Sequence, residues 1–422
     1  MNAGSVAPRG DTYDVIVAGA GPAGCTVATL VAGSGRRVLL LDRERFPRPR
    51  VGESLMPATY PTLERMGMLE SMKASAFPRK HSVQFYSADG RSGLPFYFTE
   101  VCDGESSVTW QVERSRFDRM LLDNAAEHGT EIVQQANVRD VLFDGSRATG
   151  VRVELAGGEI RELSAGVVVD ASGQTALIAR KLGLKQNDPK LRHVAFYTRF
   201  RGALRGEGID EGATIIMRTR RPRVWFWYIP LPDDEISVGV VGPLSELVDG
   251  RDGGPQAVFD EEAANTPHLL ERIEGSEQAL PVQAIRDFSY VSESIAGDGW
   301  VMAGDAFGFL DPIYSSGVFL ALKSGEFAAD SILDAFDRDD LSAARLGQHG
   351  ARFLEGMEAM RKLVYAYYDE RFSFAELLKR HPDCRDELVN LLVGNVYTHP
   401  HARLFEAMSE LCELPEPRTL RG

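Results

Sequence analysis

Three glycines spaced GxGxxG, namely Gly19, Gly21 and Gly24, directly follow the apolar run YDVIVA and open a segment of helical periodicity, CTVATLVAGSG, that stops at Gly35. Each has a physical reason to be glycine. Gly19 makes a tight turn, Gly21 lets backbone N–H groups approach a pyrophosphate, and Gly24 lets helix and strand pack closely. The diphosphate of a dinucleotide then lies on a helix N-terminus. Asp42, with Arg43 beside it, ends the next apolar run, RVLLLD, and is placed to accept hydrogen bonds from a pair of ribose hydroxyls. A second group suits reactive chemistry. Lys80 lies in FPRKHSVQF, flanked by Phe77 and Phe85. An amine desolvated among aromatic rings has a lowered pKa, whereas a lysine at a strand end is ordinarily a solvated charge. In VWFWYIP, period two puts Trp225, Trp227 and Ile229 on one face of a strand and Val224, Phe226 and Tyr228 on the other. Both faces are apolar, which predicts a strand buried on both sides.

These residues need a frame. Strand, glycine turn, helix and strand make a right-handed βαβ unit at the N-terminus. Two alternating segments, HSVQFYSA and LPFYFTEV, flank the turn DGRSG, and VTWQV reads as a further strand. A helix over RFDRMLLDNAAEHG stops at Gly129, and alternation from 131 to 170 closes on GVVVDASG. HVAFYTRF, ATIIMR, RVWFWYIP and ISVGVV predict an antiparallel sheet inserted between pieces of the α/β core, a separate substrate layer. The chain returns to α/β character near 282 and is almost wholly helical after 341, with apolar residues three and four apart. The expected class is α/β: a Rossmann-like dinucleotide-binding domain with an inserted antiparallel substrate sheet and a C-terminal helical region. The binding module spans 1–340, discontinuous, with insertions near 80–106 and 190–281; residues 341–422 form a helical cover.

The bulk numbers exclude several classes. A net charge of -14 argues against nucleic acid or an anionic membrane as partner. Cys25, Cys102, Cys384 and Cys412 lie far apart, without a CxxC pair, and no histidines stand at metal-ligand spacing, so no metal site or disulfide framework is expected. THPH (398–401) reads as a loop. The N-terminal MNAGSVAPRGDTYD lacks a basic-then-apolar signal pattern, and no apolar run approaches the ~20 residues of a membrane span. A cytoplasmic protein is expected.

Four motifs carry a resemblance. GWVMAGDAFGFLDP resembles, through Gly304 and Asp305, the ribityl-binding segment of FAD enzymes of the glutathione-reductase and hydroxybenzoate-hydroxylase type. VVVDASG resembles their other short motif, which puts Asp170 and Gly173 near the cofactor phosphates. Asp305 as a cap of the following helix is the alternative. VWFWYIP resembles the WxWxIP signature of flavin-dependent halogenases, with Val224 where that family has glycine. VGESLMP (51–57) and FPRKHSVQF are similar to the family's glycine-glutamate segment and lysine neighbourhood, and DPIYSSGV (311–318) to the segment lining flavin and halide. Tyr314 stands where tryptophan halogenases have glutamate, which disfavours free tryptophan. With NLLVGNVY in a helical tail, the chain looks more like the phenol and pyrrole halogenases, several of which act on carrier-protein-bound acyl groups.

The resemblance implies a two-component FADH2-dependent halogenase. Reduced FAD forms a C4a-hydroperoxide with oxygen, halide attacks it, and the hypohalous acid reaches an electron-rich phenolic or pyrrolic ring by way of Lys80. No second GxGxxG for a nicotinamide is visible, so a separate flavin reductase is implied. Expected roles follow: Lys80 and Glu53 catalytic, with Glu53 orienting Lys80 or a water; Gly19, Gly21, Gly24, Asp42, Arg43, Asp170, Gly173, Gly304, Asp305, Pro312 and Gly317 binding cofactor. Ser315, Ser316 and Gly317 supply backbone N–H groups for chloride or bromide at a helix N-terminus. Trp225 and Trp227 partition flavin from substrate. RTRRPR (218–223) is either a solvated strand edge or a basic patch that docks an acidic acyl carrier protein. The rival enzymes on this fold are a flavin monooxygenase and a prenyl-chain reductase, and Val224 keeps open a non-catalytic flavin-binding scaffold.

Overall fold

The computed structural model describes residues 7–93, 95–286 and 288–421. Residues 1–6, on which part of the N-terminal reading rests, and Leu94, the first residue of LPFYFTEV, lie outside them.

Thr12–Ala18, an apolar strand too hydrophobic to face water, is central in a parallel sheet. Val38–Asp42 and then Glu131–Gln134 lie on one side of it; Ile160–Asp170 and then Trp300–Met302 lie on the other. Alternate residues feed two cores. Val15 and Val17 pack with the helices Pro22–Gly33, Arg114–Glu127 and Ser316–Asp337, while Ile16 and Ala18 join the larger core on the opposite face. The hairpin Asn137–Asp144 and Arg147–Glu154 extends the sheet antiparallel from Ile160–Asp170.

The second sheet runs Glu277–Gln278, His193–Arg201, Glu235–Pro243, Trp225–Pro230, Thr214–Arg218, Ser82–Tyr86, Phe96–Tyr97. The four expected strands pair antiparallel, but Ser82–Tyr86 adds to Thr214–Arg218 in parallel, so the layer is mixed. Both faces of Trp225–Pro230 are buried. Trp225, Trp227 and Ile229 enter the large core, and Phe226 and Tyr228 enter a separate one closed by Gly254–Ala264 and Pro267–Ile273.

Two expected strands are shorter than their alternation suggested. LPFYFTEV pairs only at Phe96–Tyr97, because Glu100 accepts the Tyr97 N–H at 3.0 Å and folds Phe98–Glu100 into a 3-10 turn. VTWQV pairs only at Thr109–Trp110, with Arg79–Lys80 as its partner, plus one bridge from Gln111 to Ser54. After 341, the helices Gly350–Tyr368, Phe374–Arg380, Arg385–Val393 and Ala402–Ser409 pack into the same core as the first strand. No helix among the described residues is long and apolar enough to cross a membrane.

Candidate active site

A cavity of about 900 Å³ lies between the two sheets, at the upper end of the ~300–1,000 Å³ usual for ligand sites. Its first wall comes from the C-terminal ends of the parallel strands: Gly19, Gly21, Asp42, Arg43, Gly173, Gly304 and Asp305 line it. Gly19 has φ +107°, and a Cβ there would lie 2.3 Å from the Ala171 carbonyl oxygen. A Cβ on Gly24 would come within 1.9 Å of the Gly19 oxygen, so helix and turn touch there. At Gly21 a Cβ would meet only Arg48, at 3.9 Å, which leaves the N-terminus of Pro22–Gly33 open toward the cavity. That opening, with Arg48 and Arg114 on the same wall, fits the diphosphate of FAD.

Asp42 accepts the backbone N–H groups of Ala20 and Glu44, both at 2.8 Å, and keeps further lone pairs for hydroxyl donors. Asp305 is half-buried on the wall, and burial raises its carboxyl to about 6, opposed by the nearby Arg114 charge. Asp170 is placed differently from expectation. It is fully buried and off the cavity wall, with one oxygen accepting Ser172 N–H at 3.0 Å and the other Ile178 N–H at 2.8 Å. It therefore holds the Gly173 loop from behind instead of meeting phosphates.

The second wall is one face of the mixed sheet. Register sets Ile216, Trp227, Gly239 and Tyr197 in one row, and Thr214 lies in the next, with Ile229, Ser237 and Arg199 continuing that row across the sheet. Ile216, Trp227, Tyr197, Thr214, Ile229, Ser237 and Arg199 all line the cavity. The Trp227 indole lies over Gly239, where a Cβ would sit 2.3 Å from the ring, and its Nε1–H donates to Ser237 Oγ at 3.1 Å. Trp225 is two positions along the strand and off the wall. Its Nε1–H donates to Tyr368 Oη at 2.7 Å, and its ring packs on Tyr367. Tyr368 bonds Asp311, which also meets His193 Nδ1 at 2.9 Å. The two indoles share a face, as the alternation predicts, but only Trp227 reaches the cavity; the tail helix covers Trp225.

Lys80 is 3 % exposed. Its Nζ donates to Ser54 Oγ at 2.8 Å and to the Leu55 carbonyl at 3.0 Å, 5.4 Å from the centre of the Phe98 ring. No carboxylate pairs with it among the described residues, and burial alone brings its pKa down to about 7. The ring over the amine is thus Phe98, not the sequence neighbours Phe77 and Phe85. Glu53 does not orient Lys80. It is buried beside the cavity, pairs with Arg199 at 2.9 Å and hydrogen-bonds Ser237; desolvation raises its pKa against those partners. Arg199 in turn reaches Glu113 and Glu235.

Pro312, Ser315 and Gly317 lie on the wall, whereas Ser316 is buried off it. The Ser315 N–H is already bonded to Pro312 O at 3.0 Å, so the wall's open N–H groups belong to the first turn of Ser316–Asp337 instead. Tyr314 is buried off the cavity and donates to Leu363 O at 3.3 Å. Most of the 218–223 arginines are engaged internally. Arg221 pairs with Glu261 and Glu262, Arg223 with Glu246, and Arg218 stacks on Tyr367 and donates to its carbonyl. The segment is the turn between two interior strands, Thr214–Arg218 and Trp225–Pro230, tied to neighbouring acids, and is neither a sheet edge nor an open basic patch. THPH lies between helices, and no cluster of metal-ligating side chains occurs among the described residues.

Four wall residues escape a reading of sequence alone. Arg48 and Arg114 both bind the fully buried Asp118, Arg48 at 3.0 Å and Arg114 through two bonds at 2.8 and 3.0 Å. The i,i+4 spacing of Arg114 and Asp118 is visible, but it equally describes an exposed helical pair. Ser54 falls in the VGESLMP segment and Thr214 in a remote strand, and their pairing at 2.7 Å carries no signal in the sequence.

Residues 12–326 match the model of the FAD binding domain family. The chain is 31% identical to the 1H-pyrrole-2-carbonyl-[peptidyl-carrier protein] chlorinase of Pseudomonas fluorescens, over 94% of this chain and 93% of that one. It is 32% identical to the corresponding brominase of Pseudoalteromonas luteoviolacea, over 91% and 92%. Among solved structures, the flavin-dependent brominase Bmp2 superposes with a TM-score of 0.84 at 30% identity, covering 94% of this chain and 98% of that one. The myxobacterial chondrochloren halogenase CndH gives 0.80 at 29%, covering 95% and 97%. With the glycine turn, the indole strand and the buried lysine set around one cavity, the chain belongs to the FAD-binding family and, within it, to the flavin-dependent halogenases, enzymes that use FAD and a halide.

Proposed function

We propose that the protein installs chlorine or bromine on an electron-rich pyrrolic or phenolic ring presented by a carrier protein, using FADH2 from a separate reductase. The observation that carries this reading is Lys80, a buried amine without an acid partner and with a pKa near 7, set behind the wall of a cavity that accommodates FAD. Bound reduced FAD supplies the oxygen activation that turns halide into hypohalous acid. The first turn of Ser316–Asp337 binds the halide through backbone N–H groups. Trp227, fixed by Gly239 and Ser237, holds the ring away from the flavin, so that halogen and not oxygen is delivered. Lys80, from behind the wall, supplies the acidity that polarises the halogen of the hypohalous acid toward the ring. Residues 341–422 cover this region, with Tyr368 bracing the outer indole. Carrier presentation is supported by the names of the pyrrole-carbonyl relatives, not by the paired arginines of 218–223.

The test is incubation with a flavin reductase, NADH, chloride or bromide, and pyrrole-2-carbonyl on a peptidyl carrier protein. Mass spectrometry should show halogen isotope patterns on the acyl group. An added oxygen would support a monooxygenase instead. Lys80→Ala should abolish halogenation while flavin oxidation and peroxide release continue; surviving halogenation would remove Lys80 from the chemistry.

A further inference from the structure

Lys80 does not itself form the cavity wall; Ser54 and Thr214 do. We propose that Lys80 acts through a relay of these two hydroxyls, which passes a proton from the amine to hypohalous acid in the cavity. The inference rests on the halogenase reading above. Its basis is a donor count. Gln111 Nε2 uses its two hydrogens on Gly212 O and Thr214 Oγ1, both at 2.8 Å, and its orientation is fixed because Gly212 O requires a donor. Ser54 Oγ accepts from Lys80 at 2.8 Å and shares a 2.7 Å bond with Thr214. Two hydroxyl hydrogens serve one mutual bond, so one hydrogen is left over on two residues that line the cavity. In the relay the direction is Lys80 to Ser54, Ser54 to Thr214, Thr214 to the cavity, with Thr214 oxygen accepting from both Gln111 and Ser54.

Three separate segments hold this line. Ser54 is bridged to Gln111, Lys80 pairs with Thr109, and Thr214 pairs with Val83. The charged groups nearby are otherwise engaged. Glu53 pairs with Arg199, Asp210 accepts from Ser82, Gln84 and Tyr97, and the Arg79 guanidinium donates to the Lys73 carbonyl. His81, half-buried and next to Lys80 in the chain, has its pKa lowered by burial.

In the step served, the ring carbon bonds the halogen as the halogen–oxygen bond breaks. The departing oxygen takes the Thr214 hydrogen, Ser54 refills Thr214, and the Lys80 ammonium refills Ser54. The ring carbon releases its proton to water, and the amine recovers one from solvent. The sum is aromatic C–H plus hypohalous acid giving C–X plus water, with hypohalous acid as the oxidant.

The test uses full-length Ser54→Ala, Thr214→Val and the hydroxyl-keeping Ser54→Thr and Thr214→Ser, with flavin binding as the folding check. In wild type, halogenation of pyrrole-2-carbonyl carrier protein should fall as pH rises through about 7, where Lys80 loses its proton. Ser54→Ala and Thr214→Val should lower the halogenation rate at least tenfold, raise peroxide release and erase that limb; the hydroxyl-keeping variants should restore it. Independently of turnover, the Lys80 midpoint read by 13C NMR of lysine-labelled protein, assigned with Lys80→Met, should drop in both hydroxyl-free variants, because an acceptor of the ammonium is lost or weakened. Wild-type midpoints and wild-type pH limbs in both would overturn the relay. Halogenation surviving Lys80→Ala would instead overturn the reading beneath it.

Discussion

A lysine ammonium at 3 % exposure with no carboxylate partner is unfavourable, and its position therefore has a thermodynamic signature. The folded-state pKa of about 7 lies below the ordinary lysine value of 10.5, so between these values the unfolded chain binds more protons than the native one, and stability rises with pH. Below about 7 both states are protonated and the full cost of the buried charge is present; above about 10.5 it vanishes. Lys80→Met removes this dependence. Relative to wild type, its unfolding free energy should gain with falling pH between these limits, by about 5 kcal/mol at most. Urea titrations across that range check it, and a difference independent of pH would show the amine to be solvated. Glu53, Arg79, His81 and Asp210 are unchanged by the substitution and cancel in the comparison. Lys80 was legible in the sequence through the resemblance of FPRKHSVQF to the halogenase lysine neighbourhood, since the stretch alone reads ordinarily as a solvated charge at a strand end. Its true partners were not, since Ser54 and Phe98 reach it only through the fold.

At the scale of elements, register decides what alternation cannot. Period two assigns Trp225 and Trp227 to one face, but which of them overlooks the cavity depends on pairing with Thr214–Arg218 and Glu235–Pro243. Gly239 stands opposite Trp227 and gives the indole its resting place, a requirement unseen in ISVGVV because glycine in a strand is ordinarily only a weak point. Gly239→Ala puts a methyl group where the ring now lies. The indole must shift and lose its Ser237 bond, an overpacking that costs about 1–3 kcal/mol. With the partition displaced, halogenated product per NADH consumed should fall about tenfold, equivalent to about 1.4 kcal/mol in the competing barriers, while flavin still binds. Product mass spectrometry and urea unfolding measure both effects; unchanged halogen yield would mean that Trp227 does not partition the site. The glycine turn, by contrast, was readable outright, because Gly24 is forced by its contact with Gly19 and Gly19 by its positive φ within one local unit, although the backbone that crowds Gly19 belongs to the remote Ala171.

For the whole molecule, the sequence suggests a seam near 341, yet the largest core runs without interruption from Tyr13 in the first strand to Cys412 near the end of the chain. Composition shows a change from α/β to helix but not that both sides bury into one another. Asp188 fastens the join: only 2 % exposed, it accepts Tyr365 Oη at 2.7 Å and Arg418 at 2.9 Å and lies 3.7 Å from Arg361, gathering the Gly350–Tyr368 helix and the terminal segment onto the loop before the second sheet. Trp225 reports the same contact through Tyr368. A shared core predicts that the tail does not melt as a separate unit. Calorimetry should give one transition whose van't Hoff and calorimetric enthalpies agree, and the fluorescence of Trp225 should follow it. Asp188→Asn removes the charge that faces two arginines and should destabilise by about 3–5 kcal/mol, moving the single transition down without splitting it. FAD held at a hundred times its dissociation constant should raise that same transition by about 2.7 kcal/mol, tail included, although the cavity lies outside the tail. A separate low-temperature step, insensitive to FAD and confined to the helices after 341, would show that the cover is an independent domain docked on the rest.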